Sequence, residues 1–359
     1  MNLKVLGARE IEEALSMAEA IEVVKDAFVQ LSLQEAQAPV RTSLNLKERG
    51  DVALIMPAYL SRTKALGTKM VTVLPQNPRT SLPAVQGLVV LFDASSGSPL
   101  AILEGTHLTR FRTGAATGAA TQVLSRKDSK NLALFGAGGQ SFFQIKGVLA
   151  ARRIERIKIF DLHPESTDSL MDRLKKDPVS QDVEIIKASS PAEALGGADI
   201  VVTATNSTRP VFEGRLLEEG SHINAIGAYK PEMQEVDEET IRRAKIFVDS
   251  KEACLGEAGD LVIPLAKGVI RKIDILAELG EVIAGEKPGR DVSREITYFK
   301  SVGNAVQDVS VGQAIFQRAR EKGLGLEVEL AWPRLGLDKR YKKSRISGCD
   351  CLMRGTGKK

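Results

Sequence analysis

Short apolar segments alternate with amphipathic ones through the second half of the chain. Apolar runs typical of buried strands lie at 132–135, 157–160, 183–187, 199–204, 220–227 and 246–249. Between the first two runs, apolar side chains recur at helical spacing, as Phe143, Ile145, Val148 and Leu149 do. This alternation of strands and helices predicts an α/β fold with a doubly wound parallel sheet over residues 129–302.

The first part of the chain has a different pattern. A capping box at Ser16 begins a helix, and predicted strands then follow without intervening helices at 40–46, 52–59, 65–74, 87–92 and 99–103. Such an order predicts an antiparallel or mixed sheet. A second helix, at 108–124, contains Gly114 and Gly118, which predict that another backbone or a ligand lies close to it. A last helix, at 305–322, is expected to pack back onto this part of the chain.

A glycine-rich turn joins the strand at 132–135 to the helix that follows. Glycine at its first position permits a sharp turn, and glycine at its third lets a pyrophosphate approach the amides at the helix start. An acidic residue ends the next strand, 25 residues after Gly136, where a carboxylate binds the ribose hydroxyls of NAD and repels the 2′-phosphate of NADP. The pattern predicts a Rossmann-type domain that prefers NAD over NADP. Its predicted cofactor-binding residues are Gly136, Ala137, Gly138, Gly139, Gln140, Ser141 and Asp161.

Two further turns are placed for binding. Ligands of open parallel sheets lie beyond the carboxyl ends of the strands. Thr205 and Asn206 follow one predicted strand, and Ile226 and Gly227 end another. We therefore expect these four residues to face the cofactor or the substrate.

Composition and charge narrow the function classes. The chain has 359 residues, of which 43% are apolar and 27% charged, and its net charge is +4. Nine Lys or Arg and only two acidic residues lie in 331–359, so residues 1–330 carry −3. The body is thus mildly acidic, and we expect no nucleic-acid partner. No apolar run approaches membrane-spanning length, and no secretory signal is evident. Three cysteines do not form a disulfide framework, which fits the cytoplasm.

Several basic side chains outside the predicted cofactor domain are candidates for chemistry. Arg41, Arg110 and Arg112 are able to bind a carboxylate, and Lys69 is able to titrate near neutrality in a dry pocket. Taken singly, each is more typical of a solvated surface. The three histidines are isolated, and Cys349-Asp-Cys351 lacks a second pair of ligands, so no metal site is predicted.

Taken in order, several short motifs resemble the ornithine cyclodeaminase/mu-crystallin family, which includes archaeal-type alanine dehydrogenases and imine reductases. The resemblance spans about 1–325. The motifs are Met56-Pro57-Ala58, Gly67-Thr-Lys69, Arg112-Thr-Gly-Ala-Ala116, Gly136-Ala-Gly-Gly-Gln-Ser141, Asn224-Ala-Ile-Gly227, Gly280-Glu281-Val282 and Ser301-Val-Gly303.

The resemblance implies a division into domains and a set of roles. Residues 1–128 with 303–330 would form a discontinuous α+β substrate-binding and dimerisation domain, 129–302 the NAD domain, and 331–359 a basic, weakly ordered tail. The family habit implies a homodimer. Arg41, Lys69 and Arg112 fall where relatives bind the substrate carboxylate and the reacting nitrogen, whereas Arg110 keeps its surface interpretation. Val302 and Gly303 fall in a cofactor-binding motif.

Two departures from the family bear on the activity. Tyr229 stands where cyclodeaminases carry an aspartate, and Leu54 where they tend to carry a glutamate. Their loss removes the carboxylates that would bind the second nitrogen of a diamine. Tyr229 is instead expected to shape the pocket for the substrate side chain.

Three functions follow as hypotheses. The leading one is an NAD(H)-dependent oxidoreductase of a small α-amino or α-imino acid, like alanine dehydrogenase or ketimine reductase. The first alternative is ornithine cyclodeaminase, a lyase that returns its hydride within one turnover. The second is a cofactor-dependent ligand-binding protein without enzymatic activity.

Overall fold

A computed structural model describes residues 2–46, 50–77 and 82–330 of the chain. The predicted tail at 331–359, with its two cysteines, lies outside the described residues. None of the helices within these ranges is both long and apolar enough to cross a membrane.

The first sheet is mixed, as its pattern predicts. Its order is β16-β1-β7-β6-β5-β4-β2, with β3 paired to β4. Only β1 and β7 pair in parallel; the other neighbours are antiparallel. The strands are β1 (Asn2–Leu6), β2 (Ala36–Gln37), β3 (Thr42–Asn45), β4 (Val52–Leu60), β5 (Ala65–Val73), β6 (Val85–Asp93), β7 (Pro99–Glu104) and β16 (Leu326–Glu329). Three of these strands, β1, β2 and β16, lie outside the segments predicted from the sequence.

The second sheet is parallel throughout and confirms the predicted α/β class. Its order is β10-β9-β8-β11-β12-β15-β13-β14, so the chain winds outward in both directions from β8. The strands are β8 (Asn131–Phe135), β9 (Arg156–Phe160), β10 (Glu184–Lys187), β11 (Ile200–Thr203), β12 (His222–Ala225), β13 (Ala244–Val248), β14 (Ile275–Glu278) and β15 (Ile296–Lys300).

The helices cover both sheets. They are α1 (Ala8–Ala14), α2 (Met17–Ser32), α3 (Gly105–Leu124), α4 (Ser141–Ala151), α5 (Pro164–Lys176), α6 (Pro191–Leu195), α7 (Glu238–Arg243), α8 (Lys251–Glu257), α9 (Gly259–Ala266), α10 (Leu279–Ile283) and α11 (Ala305–Glu321). The predicted return of the last helix is confirmed, because α11 packs on β4, β5 and β6 of the first sheet and on α2 and α3.

Small residues let α3 approach α4 closely. A Cβ on Gly114 would overlap the carbonyl of Phe143, and a Cβ on Gly147 would overlap the carbonyl of Gly114. The close neighbour predicted for Gly114 is therefore another backbone, whereas at Gly118 the side chain of Ile21 comes nearest and the carbonyl of Gly147 follows. This contact joins the helix that follows the first sheet to the first helix of the second sheet.

Candidate active site

Two basic side chains of the first part of the chain share one buried carboxylate. The Nζ of Lys69, in the middle of β5, lies 2.9 Å from Oδ2 of Asp308 on α11. The Nε of Arg112, on α3, donates to Oδ1 of Asp308 at 2.9 Å, and its Nη1 donates to Gln307. All four side chains are buried. A strand and two helices thus fix the lysine and the arginine on either side of Asp308.

Burial and charge set the protonation of this group. Burial lowers the pKa of Lys69 to about 8; Arg112 and Arg41 act in the same direction, and Asp308 opposes them. Burial works against a charged Asp308, but Arg112 and Lys69 outweigh it and hold the pKa of that carboxyl below its ordinary value. The cluster therefore favours the charged form of Asp308 beside a lysine whose pKa is about 8.

The side chain of Arg41 lies close to the same cluster and contacts the turn at Val302 and Gly303. Its Nη2 donates to the carbonyls of Val302 and Gly303, both at 3.1 Å, and lies 2.7 Å from Oε2 of Glu257. Gly303 has a φ of +83°, and a Cβ on it would come within 2.9 Å of Nη1 of Arg112. The two arginines thus flank one glycine, and the fold brings together the three basic residues chosen from the sequence.

Arg41 also opens onto a cavity of about 560 Å³. Tyr229 and Leu54, the two departures from the cyclodeaminase pattern, line this same cavity. Other lining residues are Ser43, Asn45, Gly50, Asp51, Val52, Val73, Lys230, Pro231 and Glu257. Lys69 and Arg112 do not line it. The wall therefore combines apolar and aromatic side chains with charged ones from residues other than Lys69 and Arg112.

The predicted cofactor turn has the conformation that its glycines require. Gly136 has a φ of +96°, and a Cβ on it would lie 2.7 Å from the carbonyl oxygen of Ala204. Ser141, in place of a third glycine, donates from Oγ to the carbonyl of Gly136 at 2.7 Å. A small hydroxyl thus ties the helix start to the turn.

Backbone amides at this turn remain available for a ligand. Within the described ranges, the N–H groups of Gly138, Gly139 and Gln140 donate to no protein acceptor, and nothing lies within 4 Å of a Cβ built on Gly138. Asp161 accepts from the amides of Ala137, at 2.6 Å, and His163, at 2.7 Å. A carboxylate has further acceptor positions for ribose hydroxyls. These residues fit the pyrophosphate and ribose of NAD.

A buried carboxylate that sequence analysis missed joins two of the predicted binding turns. Glu235 accepts from the amide and hydroxyl of Thr205, at 2.6 and 2.8 Å, and from the hydroxyl of Thr203 at 2.9 Å. It also accepts from the amides of Gly227, at 2.7 Å, and Ala228, at 3.1 Å. Glu235 therefore fixes the turn after β11 to the turn after β12.

The outer members of these turns differ in exposure. Asn206 is exposed, whereas Ile226 is buried and donates its amide to the carbonyl of Thr203 at 2.9 Å. Both follow carboxyl ends of neighbouring parallel strands, on the same edge of the sheet as Gly136. Their contacts to a cofactor stay predictions.

A second missed carboxylate shapes the turn after β15. Asp249 accepts from the hydroxyl of Ser301 at 2.7 Å and from the amides of Val302, at 3.1 Å, and Gly303, at 2.9 Å. Since the carbonyls of this turn bind Arg41, Asp249 also orients that arginine. Isolated acidic residues at strand and loop ends were the available signal, but sequence alone does not reveal what they accept from.

Comparison with known proteins places these features in a family. A model of the ornithine cyclodeaminase/mu-crystallin family matches residues 1–323. Delta(1)-pyrroline-2-carboxylate reductase of Bacillus cereus is 40% identical over 326 residues, which cover 90% of this chain and 99% of that protein.

Two solved structures extend the likeness to three dimensions. Thermococcus litoralis Delta(1)-pyrroline-2-carboxylate reductase, in complex with NADH and L-proline, superposes with a TM-score of 0.86 at 39% identity, covering 91% of this chain and 100% of that one. An archaeal alanine dehydrogenase dimer with bound NAD gives a TM-score of 0.85 at 35% identity, covering 92% and 100%.

Proposed function

Because the chain belongs to the ornithine cyclodeaminase/mu-crystallin family, we propose that it reduces a small cyclic imino acid, of the Delta(1)-pyrroline-2-carboxylate kind, with NADH. At the coarser level, the chain is an NAD-dependent oxidoreductase that acts on amino or imino acids. The observation that carries the finer proposal is the buried Lys69–Asp308–Arg112 cluster. Arg41 links it, through Gly303, to the cavity that Tyr229 and Leu54 line.

The turn from Gly136 to Ser141 and the carboxylate of Asp161 would hold NADH, which supplies a hydride when bound. Free amides at Gly138, Gly139 and Gln140 provide donors for its pyrophosphate. Thr205, Gly227 and Val302 follow the ends of neighbouring strands and would line the path toward the nicotinamide.

The substrate carboxylate is assigned to the two arginines. Among the described residues, the protein contacts of Arg41 all use Nη2, so its Nη1–H groups are free to donate to one oxygen of the substrate carboxylate. In Arg112, Nε and Nη1 are engaged, and Nη2 is the free donor. Their positions on either side of Gly303 would fix the carboxylate and, through it, the adjacent imine carbon.

Lys69 is assigned the proton that accompanies reduction. A hydride adds to the imine carbon, the C=N double bond becomes single, and the nitrogen takes a proton from the ammonium of Lys69. A pKa of about 8 suits a donor that must lose and regain its proton near neutral pH. Asp308 stabilises the ammonium and holds its direction.

The size of the cavity and the apolar part of its wall argue for a ring substrate. Its volume of about 560 Å³ exceeds the need of a methyl side chain, and Val52, Leu54, Val73 and Tyr229 give it an apolar wall. The carboxylate of Glu257 already faces Arg41. Asp51 also lines the cavity, and its buried Oδ1 has no hydrogen-bond partner among the described residues. This carboxylate is the feature that favours a second substrate nitrogen, and the ornithine assay below tests that alternative.

We also propose that the protein forms a homodimer and works in the cytoplasm. Met70 and Leu88 pair across β5 and β6 and are 51% and 49% exposed, and Ile55 pairs with Met70 from β4. This apolar outer face of the first sheet would be covered by a second copy.

The test measures NADH absorbance with the purified protein and three substrates. One cuvette holds Delta(1)-pyrroline-2-carboxylate, a second holds pyruvate with excess ammonia, and a third holds ornithine with catalytic NAD, assayed for ammonia. We expect rapid NADH loss in the first and slow or no loss in the second. The Lys69→Ala variant, with Lys64→Ala as an exposed control, should lose the first activity.

Each other outcome contradicts part of the proposal. Faster turnover of pyruvate than of the cyclic imine would make the chain an alanine dehydrogenase. Ammonia from ornithine without net NADH would make it a cyclodeaminase. Full activity of Lys69→Ala would remove the lysine from the mechanism.

A further inference from the structure

A cavity beside the cofactor turn carries cations that the proposed mechanism does not use. It measures about 430 Å³ and includes the turn residues Ala137, Gly138 and Gly139 in its wall. Across from them lie Arg110 on α3 and Arg173 on α5. Sequence analysis gave Arg110 a surface interpretation, but the fold places it against the turn.

The guanidinium of Arg110 lies flat on Gly139. A Cβ built on Gly139 would be 3.2 Å from Nη2 of Arg110 and 3.4 Å from both its Cζ and its Nε. Three nearly equal distances mean that the plane of the group covers this face of the glycine. A side chain at 139 would press on the arginine, so the glycine leaves room for Arg110.

Arg110 has no anionic partner within the part of the chain that the structure describes: no carboxylate pairs with it and no acceptor bonds to it. Arg173 stacks on Phe142, with its Cζ 3.6 Å from the ring centre, and also lacks an ion pair there. Burial, and then the charge of Arg110, lower the pKa of Arg173, while Glu12 partly offsets them. Two unpaired arginines that repel each other across a cavity are stabilised by an anion between them.

The remaining wall suits a phosphate. Ser166 and Ser169, on the first turns of α5, line the cavity, and their hydroxyls make no hydrogen bond within the described ranges. Glu165 is the acidic member of the lining, but its side chain is 78% exposed and lies beside His163. Guanidinium groups, serine hydroxyls and the free amides of a glycine turn are all donors from which phosphate oxygens accept hydrogen bonds.

We infer that Arg110, supported by Arg173, binds a phosphate of the dinucleotide on the outer side of the glycine turn. The inference rests on the proposed use of a nicotinamide dinucleotide, but not on the imine substrate. Two phosphates come within the reach of this wall, the pyrophosphate shared by NADH and NADPH and the 2′-phosphate of NADPH. Their chemistry is the same, and the experiment separates them.

The test compares the dissociation constants of NADH, NADPH and ADP-ribose, by calorimetric titration, for the unaltered chain and three variants. Arg110→Ala removes the positive charge. Arg110→Lys keeps the charge but lacks the paired N–H donors of the planar guanidinium. Arg153→Ala is the matched control, since Arg153 is an exposed arginine just beyond the opposite end of α4. We expect Arg110→Ala to weaken binding by about tenfold or more, Arg110→Lys by less, and Arg153→Ala not at all.

The pattern among the ligands identifies the phosphate. Equal losses for all three ligands assign Arg110 to the pyrophosphate, and a loss confined to NADPH assigns it to the 2′-phosphate. Unchanged constants in both Arg110 variants overturn the inference. If Arg110→Ala does not fold, Arg110→Lys decides by itself, with a weakening beyond that of Arg153→Ala required. A chain that binds NADH through Arg110 but reduces no imine refutes the proposed function alone.

Discussion

Lys69 and Asp308 meet as a buried ion pair of 2.9 Å, although the first lies on a strand near the start of the chain and the second on its last helix. The pair forms because α11 packs on the inner face of the first sheet, where β5 directs Lys69. A charged lysine in such a place is stable only with its partner, so the helix and the strand specify one another's position.

The pH dependence of the reaction should follow Lys69. Reduction needs its ammonium form, and burial lowers its pKa to about 8. We therefore expect kcat/KM for the cyclic imine to be level below that pH and to fall about tenfold per unit above it. Amine oxidation in reverse should rise up to the same pH. In Lys69→Arg, the side chain stays charged, so any residual activity should lack this decline at alkaline pH. A flat pH profile in the unaltered enzyme would contradict the assignment of Lys69 as the proton donor.

Asp308→Asn should shift the alkaline decline of kcat/KM and lower the stability of the fold. Asp308 is the group that raises the pKa of Lys69 against burial. Without its charge, the decline of kcat/KM should therefore begin at lower pH. Two buried cations would also lose their counter-charge, which costs about 3–5 kcal/mol of unfolding free energy. pH profiles and urea unfolding measure both effects. Glu321→Gln, at the exposed end of the same helix, is the control and should change neither.

Removing Glu235 should loosen the cofactor turns. Its carboxylate accepts five hydrogen bonds from the ends of β11 and β12. Each buried donor left without an acceptor costs about 1–3 kcal/mol, so Glu235→Ala should lower the melting temperature and raise the dissociation constant of NADH about tenfold or more. Glu232→Ala changes an exposed carboxylate in the same loop. Equal NADH affinity in both variants would exclude a positioning role for Glu235.

Two helical glycines should respond oppositely to alanine. A Cβ on Gly147 would overlap the carbonyl of Gly114, whereas a Cβ on Gly256 meets nothing within 4 Å. Gly147→Ala should therefore destabilise the chain by about 1–3 kcal/mol through overpacking. Gly256→Ala should stabilise it by up to about 1 kcal/mol through helix propensity. Chemical unfolding of both variants is the measurement, and a stable Gly147→Ala would mean that α3 and α4 are not in close contact.

Local patterns were sufficient for the start of the cofactor half of the fold, whereas β14 and β15 lie outside the strands predicted from the sequence. The strand, glycine turn and helix from 131 to 151 form as their sequence predicts, because turn chemistry at Gly136 and helical periodicity act over a few residues. The family resemblance is likewise confirmed, since it rests on short motifs in a fixed order. By contrast, the terminal strands β1 and β16 pair with each other across almost the whole chain, and nothing local marks such a partner.

The sequence by itself therefore determined the class of fold and the family, and it proposed which basic residues form the site. Only the tertiary structure decided their partners: that Asp308 pairs with Lys69 and Arg112, that Glu235 joins two turns, and that Arg110 lies on Gly139. The reason is physical. Secondary structure depends on neighbours along the chain, whereas the charge of a buried group depends on atoms that folding brings from distant segments.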